Sequence, residues 1–405
     1  MFGFETTIEF QMSLLLFVSL LGYIIASRIN QSIVVGEIIV GLIIGPSLLG
    51  WITYTDFVES IAHLGAVILL FVVGLQFNFS SIYKPKYFVI ALAGIIVPWI
   101  GGYFTASVFH YNFNSAVFVG TALTATSIAI TANVLKELGK LSTPAGEAII
   151  GAAVIDDILG LLALSVSNQL VHGEVSLVAD FLILVKAAVF LAAGSLLGRY
   201  VLQEQIRKMD EHHLARKYPE FVFIVAMTIA FLYSMVAEWI GLSAIVGAFL
   251  AGMSLEGVKL IHSKDFHEGA EYLHIIFASI FFVSLGILVD LHNITSSVIG
   301  FLIALTVVAV FTKAFGCYVV SRIQRIRCHD SFVIGVGMVP RGEVAMIVAL
   351  IGLMSNIITQ ELYIAIIFMS LITTLLTPLV LRYWFQKYEN IERAGRIYQE
   401  YVEIR

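Results

Sequence analysis

Thirteen apolar runs of roughly 20 residues, separated by short polar stretches, decide what this chain can fold into. At 1.5 Å per residue such a run covers about 30 Å, the depth of a bilayer's hydrocarbon. Inside lipid every backbone N–H and C=O must be satisfied within the segment, so the runs are expected to be helices. They lie at about 8–27, 32–50, 58–77, 87–109, 114–135, 145–168, 178–201, 218–237, 240–256, 271–290, 296–320, 331–354 and 361–383. The expected class is an all-α polytopic membrane protein with the lipid bilayer as its surroundings. Residues 1–385 would form the membrane domain and 386–405 a short tail, too short for a nucleotide-binding regulatory domain. Composition agrees: 59% of residues are hydrophobic and only 13% charged, against about 25% in soluble domains. No nucleic-acid partner is expected. Cys317 and Cys328 have neither metal-ligand spacing nor a disulfide pattern. No basic residue precedes the first run, which therefore reads as an uncleaved span.

Charge placement orients the spans. The chain has 23 Lys and Arg residues. Lys186, Lys313 and Arg341 fall deep inside runs; every other one falls in the tail, in a connection that follows an odd-numbered run or, as Arg199 and Arg382 do, in the last turn of such a run. Basic residues mark the cytoplasmic side, so the amino terminus is expected outside and the carboxyl terminus inside, as in a multi-pass cell-membrane protein.

Charges within runs are costly, about 2.5–3.5 kcal/mol at mid-bilayer on insertion scales, and so point to function. Helix rise places Asp156 roughly 16 Å into the sixth span, with Asp157 one residue deeper. Lys313 lies roughly 13 Å from the basic end of the eleventh, and Thr126 and Ser127 roughly 12–14 Å from that of the fifth. Arg341 and Glu343 sit roughly 15–18 Å into the twelfth. All fall in one layer, as a single buried site requires. Glu37, roughly 8 Å from the basic end, suits an interface or gate better than that centre.

Two of these spans are expected to break. Thr124-Ala-Thr126-Ser127 interrupts the fifth, and Pro340-Arg-Gly-Glu343 the twelfth, where proline removes a donor and glycine permits an open turn. Broken helices in corresponding positions of two halves point to a transporter site within an inverted repeat, although no extended identity between the halves is evident. Arg341 and Glu343 are either a fixed pair that neutralises the broken ends or part of the transport path. Asp156 and Asp157 point about 100° apart on a helix. Lysine can neutralise one, leaving the other to exchange a proton for a metal cation. A packing role for the pair would not need a second carboxylate. An intramembrane aspartyl protease would need two aspartates facing one another from different helices.

With these residues in view, the sequence resembles the Kef/Nap branch of the monovalent cation:proton antiporters. The matching stretches are Gly45-Pro-Ser-Leu-Leu-Gly50, Leu70-Phe-Val-Val-Gly-Leu75, Thr124-Ala-Thr-Ser-Ile-Ala-Ile-Thr131, Gly151-Ala-Ala-Val-Ile-Asp156-Asp157, Phe281-Phe-Val-Ser-Leu-Gly286 and Pro340-Arg-Gly-Glu343. The resemblance implies a homodimer, each protomer having a dimerisation domain and a mobile six-helix core, with elevator-like alternating access. It implies that Asp157 binds the transported cation and proton, with Asp156 paired to Lys313 and Thr126 and Ser127 lining the site. Na⁺ is the expected cation, Li⁺ or K⁺ the variants, and no cofactor is called for; the activity is not enzymatic. The alternative on the same scaffold is a potassium/proton antiporter or gated potassium efflux system. Those with glutathione gating usually carry Gln before the essential Asp, where this chain has Asp156. Gln76 stands where the family often has an acidic residue after the Leu-Phe-x-x-Gly-Leu stretch.

Overall fold

The computed structural model describes residues 7–403 except 30, 78–83, 173–176, 259, 262–265 and 291–295; side chains at 172, 177, 266, 267, 296, 297, 343 and 389–403 are also outside the description. Of the basic positions, Lys259, Lys264 and Arg405 therefore fall outside it, as do the side chains of Arg393 and Arg396.

Each apolar run becomes one helix or one pair of half-helices. The first half of the chain holds α1 (Ile8–Arg28), α2 (Ile33–Ile44), α3 (Asp56–Leu75), α4 (Pro85–Val108), the half-helices α5 (Phe113–Ala122) and α6 (Ile128–Glu137), and α7 (Pro144–His172). A connecting helix α8 (Leu177–Leu197) passes through a π-helical turn at Gly198–Leu202 into α9 (Gln203–Glu211) and the short α10 (His213–Lys217). The second half holds α11 (Phe221–Trp239), α12 (Ala244–Leu255), α13 (Phe266–Ile287), α14 (Ser296–Ile323), the half-helices α15 (Cys328–Gly337) and α16 (Glu343–Met354), and α17 (Gln360–Glu403). Nine helices among the described residues are long and apolar enough to cross a bilayer unaided. The run at 32–50 makes a shorter helix than expected. The α2 ladder stops at Ile44 because Gly45 is extended ahead of Pro46, whose ring disfavours helical geometry in the residue before it.

The helices sort into two bundles. One contains α1, α2, α3, α11, α12 and α13; the other contains α4, α5, α6, α7, α14, α15, α16 and α17. The pairings repeat. α1 packs on α2 and α13 as α11 packs on α12 and α3; α4 packs on α5 and α7 as α14 packs on α15 and α17. Across the axis, α3 meets α13 and α4 meets α14. Corresponding elements are seven spans apart, an odd number, so they run in opposite senses: an inverted repeat.

The repeat is also written in the sequence at one place that pattern reading missed. α2 and α12 are both 12 residues long, with Ser32 and Ser243 at their N-cap positions. They read Ile-Val-Val-Gly36-Glu37-Ile-Ile-Val-Gly41 and Ala-Ile-Val-Gly247-Ala248-Phe-Leu-Ala-Gly252. The glycines do the same work in both. A Cβ on Gly41 would lie 2.1 Å from the Val283 carbonyl oxygen, and one on Gly252 the same distance from that of Phe71. Helix backbones therefore touch where glycine removes the side chain, the close packing that small residues permit in membranes.

Candidate ion-binding site

The expected break in the fifth span spans Leu123 to Ser127, and that in the twelfth Met338 to Gly342. The two breaks cross and bond to each other. The Ser127 N–H donates to the Pro340 carbonyl (2.9 Å), Thr126 Oγ1 to that of Met338 (3.4 Å) and Thr131 Oγ1 to that of Gly337 (2.7 Å). The fifth span thus satisfies carbonyls that the interrupted ladder of the twelfth leaves open. Gly342 permits the crossing: a Cβ there would lie 2.7 Å from both Cβ and Oγ of Ser127.

The carbonyl end of the half-helix α5 receives positive charge. Lys313 of α14, fully buried, donates from Nζ to the Thr124 carbonyl (2.6 Å) and to Asp156 Oδ1 (3.0 Å) and Oδ2 (3.3 Å). Arg341, also fully buried, donates to the carbonyls of Ala125 (2.5 Å) and Ala309 (3.4 Å). The C-terminal end of α5, where the helix dipole is negative, therefore meets two cations. Gly94 leaves room for the lysine, its position for a Cβ being 3.3 Å from Lys313 Nζ. Two threonines of α17 hold the other break: Thr373 Oγ1 accepts from the Arg341 N–H (3.3 Å), and Thr374 Oγ1 donates to the Arg341 carbonyl (2.7 Å).

Asp157 faces elsewhere, as a one-residue step on a helix requires. It is partly exposed, into a cavity of about 10 Å³ lined by Thr126, Ser127, Gly342, Val344 and, from the other bundle, Ile245. That volume suits one water-sized occupant. The first turns of α6 and α16 both border it, so two half-helix amino ends, the favourable poles for a carboxylate, converge there.

The structure thus brings together Asp156 with Lys313, and Asp157 with Thr126 and Ser127. Arg341 belongs to the same layer through backbone carbonyls; Glu343 opens α16, and its side chain lies outside the described residues. Lys186 is exposed on α8, and Glu37 lies apart from this cluster in a second cavity. Gln76 donates to Glu271 Oε1 (3.0 Å). Sequence reasoning missed Ile245, Thr373 and Thr374, which carry no signal beyond lying in apolar runs.

Two crossed broken helices beside buried charges, within an inverted repeat, define a secondary transporter. The chain belongs to the sodium/hydrogen exchanger family, whose transmembrane domain matches residues 15–387. Among relatives, it is 32% identical over 390 residues to the Na⁺/H⁺-K⁺ antiporter GerN of Bacillus cereus, covering 96% of this chain and 98% of that one. It is 33% identical over 379 residues to a Na⁺/H⁺ antiporter of Enterococcus hirae, covering 92% and 97%. The fold is similar to that of the sodium proton antiporter MjNhaP1 of Methanocaldococcus jannaschii, with a TM-score of 0.66 at 18% identity over 92% of this chain and 95% of that one.

Proposed function

We propose that the protein exchanges Na⁺ for protons across the cell membrane by alternating access, with Asp157 as the carboxylate for which the two ions compete. The observation that carries this reading is the division of labour between adjacent aspartates. Asp156 is bound by Lys313, whereas Asp157 opens onto a cavity with hydroxyl neighbours and room for one small occupant. A hard cation takes oxygen ligands of this kind. The cation bound from the cytoplasm displaces the proton from Asp157; the bundle that holds Asp157 then carries it past the other bundle, and external protons displace it in turn. The basic connections lie on the cytoplasmic side, and residues from 386 form the tail that continues α17. The molecule works as a homodimer in the bilayer and needs no cofactor beyond the transported Na⁺ and H⁺.

The relatives support Na⁺ first, and the name of GerN keeps K⁺ in view. The test is proton flux in proteoliposomes driven by Na⁺, Li⁺ or K⁺, with Asp157→Asn alongside. Na⁺-driven flux that the substitution abolishes, in a protein still inserted and folded, is the expected result. Undiminished Na⁺-driven flux in Asp157→Asn would remove Asp157 from the site, and flux driven by K⁺ alone would replace the cation.

A further inference from the structure

A second cavity, of about 260 Å³ and bordered by several ionisable residues, lies on the seam between the bundles, at the end of the molecule that carries the basic connections. α2 and α13 form one wall and the last turns of α6 the other. α6 starts at the ion site and ends at this cavity. Asn133 is six residues, roughly 9 Å of helix, beyond Ser127.

A chain of contacts crosses the seam. Lys136 Nζ donates to Glu271 Oε2 (2.6 Å) and faces His274 Nδ1 at 3.4 Å. An ammonium can only donate, so Nδ1 accepts and the imidazole proton sits on Nε2, which donates to Asn133 Oδ1 (3.1 Å). Asn133 Nδ2 in turn donates to Glu137 Oε1 (3.2 Å), and Ser32 Oγ to Glu137 Oε2 (2.8 Å). His274 is neutral in this network. Glu137 also sits at the amino end of α2, with the Arg382 charge of α17 in range. Tyr23 of α1 completes the wall.

One carboxyl is left over. Glu37 is only 1% exposed, lines the cavity, and has no hydrogen-bond partner for Oε1 among the described residues. Three carboxyls, Glu37, Glu137 and Glu271, thus share two positive charges, the Lys136 ammonium, which Glu271 engages, and Arg382, which lies in range of Glu137. A buried carboxyl with a free oxygen is expensive and is not needed for packing. The inverted repeat shows the latter. The position matching Glu37 in α12 is Ala248, with the same glycine contacts on either side. Counted from the amino ends of the half-helices, Asn133, Lys136 and Glu137 of α6 match Val348, Ile351 and Gly352 of α16. At these four positions the opposite half of the repeat therefore carries only apolar residues and glycine.

We propose that this cavity is a second cation site, in which Glu37, with Ser279 beside it, binds a hard monovalent cation on its way between the basic face and Asp157. The excess of carboxyls concentrates cations in a narrow cleft with low-dielectric walls. The proposal rests on the exchange reading above for the direction of traffic, but its test does not use exchange.

Binding of ²⁰⁴Tl⁺, with Na⁺ as competitor, is measured on the purified full chain carrying Asp157→Asn. A saturable Tl⁺ site displaced by Na⁺ is expected to persist there. Adding Glu37→Gln should weaken it at least tenfold, and adding Ser279→Ala instead should weaken it severalfold. Absence of saturable Tl⁺ binding in the Asp157→Asn protein overturns the proposal. So does binding left unchanged by Glu37→Gln; if that variant does not fold, binding left unchanged by Ser279→Ala decides against it. Exchange that survives in Asp157→Asn counts against the Asp157 assignment alone.

Discussion

At the scale of single residues, the organising fact is how positive charge is shared out at mid-depth. Lys313 serves two acceptors at once, a carboxylate and a helix-end carbonyl, and Arg341 serves carbonyls only. A buried ion pair gains little over an apolar replacement of the whole pair, but removal of one partner alone strands the other, at a cost of about 3–5 kcal/mol. Lys313→Gln should therefore lower the melting temperature of the detergent-solubilised protein and leave transport weakened or electroneutral. Unaltered melting together with unaltered voltage dependence would show that the pair does neither job. Arg341 does not depend on a carboxylate for its place, which explains why the sequence left its role open. Its partners are main-chain oxygens, and no residue type announces those.

At the scale of elements, the two half-helix pairs work as one unit because their breaks interlock. At that crossing a Cβ on Gly342 would lie 2.7 Å from Ser127 Cβ and Oγ. Gly342→Ala places a methyl group where Ser127 already is, in two backbones tied by the Ser127–Pro340 bond. Overpacking of this kind costs about 1–3 kcal/mol. The expected outcome is an inserted protein with at least tenfold slower exchange, and pairing with Ser127→Gly should restore part of the rate. Exchange at the parental rate in Gly342→Ala would mean that the crossing yields without consequence.

The breaks themselves were legible from sequence, because proline and glycine in an apolar run have few other uses, and so was the common depth of the charged residues. Which breaks touch was not legible, since that depends on pairing of elements more than 200 residues apart. The seam cavity was equally hidden: Asn133, His274 and Glu271 stand in no motif, and only the packing of α6 on its neighbours joins them. The likeness of α2 to α12 was present in the sequence but too short to stand out until the pairing of helices aligned it.

At the scale of the whole molecule, two bundles meet along a seam that one ion pair of α6 with α13 crosses. Exchange by displacement of one bundle requires the contacts across that seam to part, including Lys136 with Glu271. In a Cys328→Ser background, Lys136→Cys with Glu271→Cys, joined by a short cleavable thiol cross-linker, should stop exchange and recover it on cleavage. Full exchange with the link intact would contradict movement of the bundles past each other.

Competition between Na⁺ and protons for Asp157 is the claim on which the rest depends, and the pH dependence of Na⁺ activation measures it most directly. Transport currents on solid-supported membranes, recorded from about pH 5 to 9, give the half-saturating Na⁺ concentration at each pH. Displacement of one proton per cation predicts a rise that approaches about tenfold for each unit of acidification on the acid side. A steeper rise would mean two protons. A half-saturating concentration that stays flat across the whole range would contradict competition at this carboxylate.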